Sequence, residues 1–442
     1  MTVESVRAGA AADRSAPRRE ITSWCLYDFS SSAFNTLMVT FIFNRFFVDV
    51  IAGDPRAGTV MWAGALNISA IIVALAMPVL GAVADYSGRK KLFLVLTALQ
   101  AILFTTLLFF VGPGDATVAI LLFVLANIGF ESANVFYNAF LPELTTNRNI
   151  GRVSGIGFFL GYMGGLLSLA IGLGMVQSWL PKDDYLNVRA TILLVAAWYL
   201  LFSLPMFLFV RERAERHSAS FGTYVRKGFE RISNTARHLR DFREAAKLIL
   251  ARMIYNDGLV TVIAMASLYA GNVFDMPLEA VLGMGIALNV AAGIGAFGFG
   301  FVDDRIGGKR TIIITLVVLT IAATIGVLTR TVSGFWVAAV LIGLMMGPNQ
   351  SASRSLLARM VPDQKQAEFF GLFAFSGKLS SLLGPLVYGS VVGATGDHKL
   401  AMSSIIVFFL IGLVLLTLVR EREGIENAQR LQHELAAHGG EL

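Results

Sequence analysis

Long apolar stretches, separated by short polar segments, fill most of this chain of 442 residues. A helix that crosses a bilayer needs about 20 mainly apolar residues, and twelve stretches meet that requirement. Their approximate bounds are 21–51, 59–84, 91–112, 116–141, 152–179, 188–210, 246–271, 278–302, 310–329, 333–358, 367–393 and 400–420. The pattern predicts an all-α integral membrane protein with twelve transmembrane helices.

Three polar segments divide the chain further. Residues 1–20 and 421–442 are predicted tails, and residues 211–245 separate six predicted spans (21–210) from six others (246–420). Apolar residues at helical spacing in the middle segment predict an amphipathic helix. They are Phe221, Val225, Phe229, Ile232, Ala236 and Leu239. A solvated connector between two six-helix halves is the preferred interpretation, and a regulatory or lipid-sensing segment on the membrane surface is the alternative.

The composition agrees with a membrane protein and argues against several other classes. Of the residues, 55% are hydrophobic and 15% are charged, whereas soluble domains carry roughly 25% charged residues. The single cysteine, Cys25, excludes an intramolecular disulfide and a cysteine-based metal cluster. The net charge of +6 comes from basic residues in loops between spans, so we expect no nucleic-acid partner. Because no phosphate loop, histidine cluster or hydrolytic triad is recognisable, we expect no enzyme activity, cofactor or metal site.

Lysine and arginine concentrate on one side of the predicted membrane. That side holds Arg14, Arg18, Arg19, Arg89, Lys90, Lys91, Arg148, Arg152, Lys309, Arg310, Arg359 and Lys365. The other side holds Arg56, Lys182, Arg189, Arg330 and Lys399. Because basic loops stay in the cytoplasm, both termini are predicted to be cytoplasmic. The absence of long extensions favours a bacterial inner membrane over a vacuole.

A charged hairpin follows the second predicted span and recurs after the eighth. The residues of the first copy are Gly81, Asp85, Gly88 and Arg89. The residues of the second copy are Gly300, Asp304, Arg305 and Gly307. The two glycines and the aspartate of the first copy lie a constant 219 positions before their counterparts. A constant offset of about half the chain indicates an internal duplication.

The hairpin resembles the signature of the major facilitator superfamily, although Tyr86 stands where that signature usually has arginine. Four other segments, 24–29, 138–144, 255–258 and 350–355, are similar to its vacuole-effluxer-like branch, named for autophagy-related amino-acid effluxers. That branch usually continues Tyr-Asp with Trp-Ala-Asn-Ser. This chain has Phe-Ser-Ser-Ser at that place and therefore lacks the asparagine.

The resemblance implies two pseudo-symmetric six-helix bundles that open alternately to the two sides of the membrane. It implies a secondary transporter of a small polar metabolite, with an amino acid as the first candidate and protons as the coupling ion. The expected partners are this substrate, protons and membrane lipid, and the chain is expected to be a monomer. Two rivals stay open: a drug or hydrophobic-compound exporter of the same fold, and a non-transporting membrane sensor or assembly protein.

In the superfamily, the hairpin aspartate is implied to latch the two halves together beside the start of the eleventh span. Asp85 would be that residue here, with Gly81 and Gly88 allowing close approach and a tight turn and Arg89 as its countercharge. Topology alone explains basic residues in a loop, but it does not explain aspartate and glycine at a fixed spacing. For the second copy, the latch and the topological interpretation stay equally open.

Ionisable residues inside the spans are the candidates for chemistry, because a charge within a bilayer is costly. Glu131, close to mid-depth in the fourth span, is the first candidate for proton coupling, followed by Asp28 and Asp257, because shielding from water favours a protonated carboxyl. The candidates for substrate binding are Tyr27, Asn134, Asn138, Tyr255, Asn256, Gln350, Arg354 and Lys378. The alternative is that these acids pair with Arg252, Arg354 or Lys378 and only fix the packing.

Small residues recur four positions apart in the fifth and eighth predicted spans. They are Gly157, Gly161, Gly165, Gly283, Ala287, Ala291 and Gly295. Such rows let helices pack closely. Because these two spans meet across the halves in the superfamily, we expect the rows to permit rocking as well as packing.

Overall fold

The computed structural model describes residues 15–214, 221–237 and 241–437. Twelve helices in this part of the chain are long and apolar enough to cross a membrane. In chain order, α1 to α12 span Arg18–Ile51, Pro55–Ser87, Lys90–Phe110, Ala116–Ala139, Ile150–Trp179, Asp183–Phe209, Arg243–Phe274, Glu279–Ile306, Gly308–Leu328, Val332–Arg359, Asp363–Thr395 and His398–Thr417. They confirm the predicted number of spans. Residues 1–14, 215–220, 238–240 and 438–442 of the predicted tails and linker, Leu239 among them, lie outside the described residues.

Local chemistry explains where several of these helices begin and end. Asp54 precedes α2, and its carboxylate accepts the backbone N–H of Arg56 at 2.9 Å. Asp397 caps α12 in the same way, because its Oδ1 accepts the N–H of Lys399 at 2.7 Å. At its other end, α2 stops at Gly88, whose φ of +61° is readily available only to glycine.

The outward faces of the helices are apolar. Leu75, Leu96, Leu201 and Val414, from four different helices, all have exposed side chains. A helix satisfies its own backbone hydrogen bonds, so such a face suits contact with lipid.

Two halves, α1–α6 and α7–α12, meet through pseudo-symmetric pairs of helices. The pair α2 and α11 and the pair α5 and α8 form the largest contacts across the halves. Both hairpins lie at one end of the molecule, which we call the motif end. The described N-terminal segment is anchored there too, because the N–H of Ala16 donates to the carbonyl of Leu144 at 3.0 Å.

Several members of the predicted small-residue rows pack within one half. A Cβ on Gly157 would meet Asp28 of α1, and a Cβ on Gly165 would meet Thr36 of α1. In α8, Gly295 faces α10. Between α5 and α8, the close approach instead involves Gly155 and Gly300. The rows themselves therefore line the contact between the halves only in part, because a Cβ on Gly157 would also meet Nη2 of Arg354 in α10 at 3.0 Å.

A linker helix, Phe221–Arg237, joins the two halves at the motif end. Its Gly228 packs against Val83 of α2. Arg231 donates to the carbonyl of Gln364 at 3.0 Å, and Thr235 accepts from Lys365 at 2.8 Å. The linker helix therefore contacts α2 of the first half and the start of α11 in the second.

A tail helix, Glu421–Ala437, reaches the same place. The side chain of its Gln432 donates to the Asp363 carboxylate at 2.8 Å. The linker helix, which follows the first half, and the tail helix, which follows the second, therefore both contact the start of α11.

Candidate functional site

The first hairpin fastens α2 to the start of α11. The Asp85 carboxylate accepts the backbone N–H of Glu368 at 2.9 Å. An aspartate at this position also interacts favourably with the positive end of the helix dipole. Gly81 lies against the carbonyl of Ala367, and a Cβ at Gly81 would come within 2.8 Å of the Glu368 nitrogen. The hydrogen bond of Asp85 and the close approach at Gly81 thus both join α2 of the first half to α11 of the second.

The second hairpin fastens α8 to the start of α5 in the same way. The Asp304 carboxylate accepts the N–H of Gly151 at 2.8 Å and the N–H of Arg152 at 3.2 Å. A Cβ on Gly300 would meet the Cα of Arg152 at 3.0 Å. Both hairpins therefore contact the opposite half at the motif end, and we call these two contacts the latches.

The cation beside Asp85 is Lys90 and not Arg89. Gly88 turns the chain in the left-handed region, so Arg89 is exposed while Lys90, the first residue of α3, is buried. The Lys90 Nζ lies 3.8 Å from the Asp85 carboxylate and forms a closer ion pair with Glu143. The expectation that Arg89 supplies the countercharge is therefore wrong.

In the second copy, Arg305 is likewise exposed. Arg359 of α10 takes the corresponding place: it lies 3.5 Å from Asp304 and donates to Asp303 at 2.7 Å. Each latch aspartate therefore has a buried cation nearby that belongs to its own half.

Sequence reasoning missed a second repeated element that supports both hairpins. Glu212 accepts the N–H of Lys91 at the start of α3 at 3.2 Å, and Glu421 accepts the N–H of Gly308 at the start of α9 at 2.9 Å. Burial raises the pKa of the Glu212 carboxyl, and its bond from Lys91 opposes that shift. The available signal was the tetrapeptide Val-Arg-Glu-Arg, which occurs at 210–213 and again at 419–422.

Neutralising either latch aspartate is expected to weaken its latch by about 1 kcal/mol, because asparagine keeps one acceptor oxygen but loses the charge. In hydrogen–deuterium exchange, Asp85→Asn should speed exchange at the Glu368 amide about fivefold. Asp304→Asn should do the same at the Gly151 amide. Acceleration at both helix starts by each variant would mean that the latches open together. Unchanged protection in both variants would contradict the latch assignment.

Behind the latches, Arg354 of α10 reaches across into the first half. It donates to the Asp28 carboxylate at 3.1 Å, to the Asn138 side-chain oxygen at 3.2 Å and to the Ser154 carbonyl at 2.8 Å. Its guanidinium carbon also lies 4.8 Å from the ring centroid of Trp24. This buried group, which we call the Arg354 cluster, joins α1, α4 and α5 to α10.

A second ion pair joins the halves at mid-length of α4 and α11. Lys378 donates to the Glu131 carboxylate at 2.5 Å. The two side chains keep 28% and 23% of their surface exposed, Lys378 and Glu131 respectively. The pair is therefore partly accessible midway along two long apolar helices. We take this pair as the candidate central site.

Three of the other candidates lie in contacts within one half. The Tyr27 hydroxyl is 2.7 Å from that of Tyr199, and the Tyr255 hydroxyl is 2.7 Å from that of Ser353. Asp257, only 1% exposed, accepts the backbone N–H of Gly384.

Three further candidates remain. Asn256 donates to the Ser380 hydroxyl at 2.8 Å, and Asn134 and Gln350 are half-buried. The structure therefore brings Glu131 together with Lys378, and Asp28 together with Asn138 and Arg354, but it does not gather all the candidates into one cluster.

Sequence comparison relates the chain to one transporter family. The family described as "Vacuole effluxer Atg22 like" matches residues 57–429. The uncharacterized MFS-type transporter YxiO of Bacillus subtilis is 30% identical over 93% of this chain and 97% of its own length. Autophagy-related protein 22 of Yarrowia lipolytica is 23% identical over 70% of this chain and 57% of its own length.

Solved structures with the same fold are transporters of the major facilitator superfamily. The human organic anion transporter MFSD10 superposes with a TM-score of 0.70 at 17% identity, covering 90% of this chain and 99% of that one. The transporter FucP in its outward conformation superposes with a TM-score of 0.70 at 15% identity, covering 90% and 98%. These likenesses confirm the predicted major facilitator fold.

Proposed function

The chain belongs to the Atg22-like vacuole effluxer family of the major facilitator superfamily and is a multi-pass membrane transporter, and from this premise we propose a mechanism. In this mechanism the protein moves a small polar metabolite by alternating access, and the movement is coupled to protons. An amino acid is the first candidate substrate. The observation that carries this proposal is the partly exposed Glu131–Lys378 pair between the halves.

The two ends of the molecule have different parts in this mechanism. The latches at Asp85 and Asp304 and the Arg354 cluster hold the motif end closed. Excess lysine and arginine in the motif-end loops supports its placement in the cytoplasm. With the motif end closed, substrate would enter the central site from the opposite side of the membrane. In a bacterial inner membrane, that is the outer, periplasmic side.

The Glu131–Lys378 pair supports proton coupling through its charge balance. While Glu131 is ionised, it attracts the Lys378 ammonium, and the pair draws α4 and α11 together. A proton on Glu131 removes that attraction, so Lys378 is left with an uncompensated charge and the helices separate more easily. Binding of a proton is thereby linked to a contact between the halves, which alternating access must break and remake.

Replacing Glu131 with glutamine is expected to abolish accumulation driven by a pH gradient. For one proton per substrate, a gradient of one pH unit drives about tenfold accumulation, and this ratio should fall to unity in Glu131→Gln. The measurement is uptake of radiolabelled amino acids into proteoliposomes with the gradient imposed in either direction. Exchange without a gradient should survive, because the glutamine resembles the protonated carboxyl in shape and charge.

The matched control is Glu279→Gln, which removes an exposed carboxylate at the far end of α8 from the motif. It should accumulate substrate like the wild type. Accumulation at wild-type levels by Glu131→Gln would remove Glu131 from the coupling mechanism.

A further inference from the structure

Helix α7 carries a cation that has no carboxylate partner. Arg252 donates through Nη1 to the carbonyl of Phe373 at 3.1 Å and to the hydroxyl of Ser376 at 3.4 Å. No carboxylate in the described ranges lies within 4.0 Å of its guanidinium, in contrast to Arg354 and Lys378, which are both paired. Among the described arginines and lysines deep in these helices, Arg252 is therefore the exception.

The contacts of neighbouring residues place Arg252 on the inner face of α7. Tyr255 of this helix contacts Ser353 of α10, and Asn256 contacts Ser380 of α11. Arg252 precedes them by three and four residues, so its side chain lies on the same face of the helix. That face is directed at α10 and α11.

Arg252 is also close to Lys378 along α11. A Cβ on Gly377, the residue before Lys378, would meet Nη1 of Arg252 at 3.2 Å. The guanidinium contacts α11 between Phe373 and Gly377, which is at most about 8 Å of helix from Lys378 toward the motif end. Arg252 thus lies within about one and a half turns of Lys378 along α11, and its side chain is half-buried.

The charges of the site leave Arg252 uncompensated. Glu131 neutralises Lys378, and Asp28 neutralises Arg354. A lone charge in a low-dielectric interior is costly unless a partner of opposite charge offsets it. Nε and Nη2 of Arg252 donate to no acceptor within the part of the protein that the structure covers.

The geometry of the guanidinium suits a carboxylate. Its carbon lies 3.6 Å from the centroid of the Phe373 ring. This contact fixes the plane of the guanidinium, whose N–H groups form a planar fork of donors. A guanidinium with two free donors binds a planar carboxylate through two parallel hydrogen bonds. A sugar or a lipophilic cation would leave its charge unmatched.

We propose that Arg252 binds the carboxylate of the substrate, so that the transported class is small carboxylate-bearing metabolites, amino acids included. This inference rests on the proposed function, because it assumes that substrate occupies the site next to Glu131 and Lys378. It adds a specificity residue: the carboxylate supplies the charge that the protein itself does not.

Protection of Arg252 from chemical modification tests the inference on the wild-type protein. Phenylglyoxal modifies accessible guanidinium groups, and mass spectrometry of peptides reports the rate at Arg252. The probes are L-alanine, L-leucine, L-glutamate and L-lactate, each compared with its amide, and D-glucose as a neutral solute. At least one carboxylate should slow modification about tenfold or more, while its amide and glucose should not. Equal protection by acid and amide, or protection by none of the carboxylates, would overturn the inference.

Substitution of the arginine supplies the second measurement. Calorimetry with the protecting probe should show that Arg252→Gln weakens binding about 10- to 100-fold, and that Arg252→Lys, which keeps the charge but loses the fork, weakens it less. The control is Arg243→Gln, an exposed arginine on the same helix, which should bind as the wild type does. Undiminished affinity in Arg252→Gln would contradict the assignment.

The failure of this inference can be told apart from the failure of the proposed function. A protein that binds carboxylates at Arg252 but accumulates no substrate under a pH gradient would contradict proton-coupled transport only. A protein that accumulates substrate equally well with and without Arg252 would contradict the carboxylate site only.

Discussion

Replacing Arg354 with glutamine is expected to destabilise the closed motif end by about 3–5 kcal/mol. A buried ion pair that loses one partner leaves the other charge uncompensated, and here that charge is the Asp28 carboxylate. The substitution also removes the hydrogen bonds to Asn138 and Ser154. All three partners belong to the first half and Arg354 to the second, so the loss falls on the contact between halves. The population should shift toward a separated motif end.

Spin-label distances measure this shift directly. Labels on cysteines introduced at Arg148 and Arg305, both exposed at the motif end and on opposite halves, should give one short distance in the wild type. The native Cys25 is buried, so it should not compete for label. In Arg354→Gln a longer distance should dominate. A distribution identical to that of the wild type would show that the cluster does not hold the end closed.

A double-mutant cycle separates the ion pair from general damage. Asp28→Asn in the Arg354→Gln background removes the stranded charge, so the double variant should lie closer to the wild type than Arg354→Gln alone does. The control is Arg422→Gln, an exposed arginine of the tail helix, which should leave the label distance unchanged. Purely additive effects of the two substitutions would argue against a direct pair.

The sequence predicts the features of this protein that depend on local physics. Twelve apolar stretches became twelve helices because a helix satisfies its own backbone groups in lipid. The hairpins were recognisable because Asp85 and Asp304 stand among glycines at a repeated spacing. Whether Arg89 or Lys90 is the buried cation depends instead on the direction of the turn at Gly88. The spacing of residues in the sequence does not reveal that direction.

Pairings between distant helices could not be predicted in this way. Glu131 and Lys378 are 247 positions apart. Hydropathy shows that each charge is costly within an apolar span, but it does not identify the residue that each one pairs with. The lone charge of Arg252 is recognisable only after every nearby carboxylate has been located. The packing partners of the glycine rows were hidden for a related reason, because a spacing of four residues is the same whether the neighbouring helix belongs to the same half or to the other.

Replacing Gly81 with alanine is expected to prevent complete closure of the motif end. A Cβ there would come within 2.5 Å of the Ala367 carbonyl carbon, nearer than non-bonded carbon atoms approach. The obstacle is backbone, so no side chain can turn aside, and relief requires α2 and α11 to separate. An added methyl in a close-packed contact costs about 1–3 kcal/mol, and valine should cost more. Labels at Arg148 and Arg305 should report a longer distance, and substrate uptake should fall toward background.

The control for Gly81 is Gly298 of α8, where an added Cβ would meet nothing within 4 Å; Gly298→Ala should be neutral or slightly stabilising. Gly155 provides the pseudo-symmetric test, because its Cβ would overlap the carbonyl of Ala296 across α5 and α8. If the two latches close as one unit, Gly155→Ala should separate the labels as Gly81→Ala does, and the two penalties should add. Wild-type distances and uptake in Gly81→Ala would mean that the halves do not need this contact to close. The motif end would then depend on the aspartates and the Arg354 cluster alone.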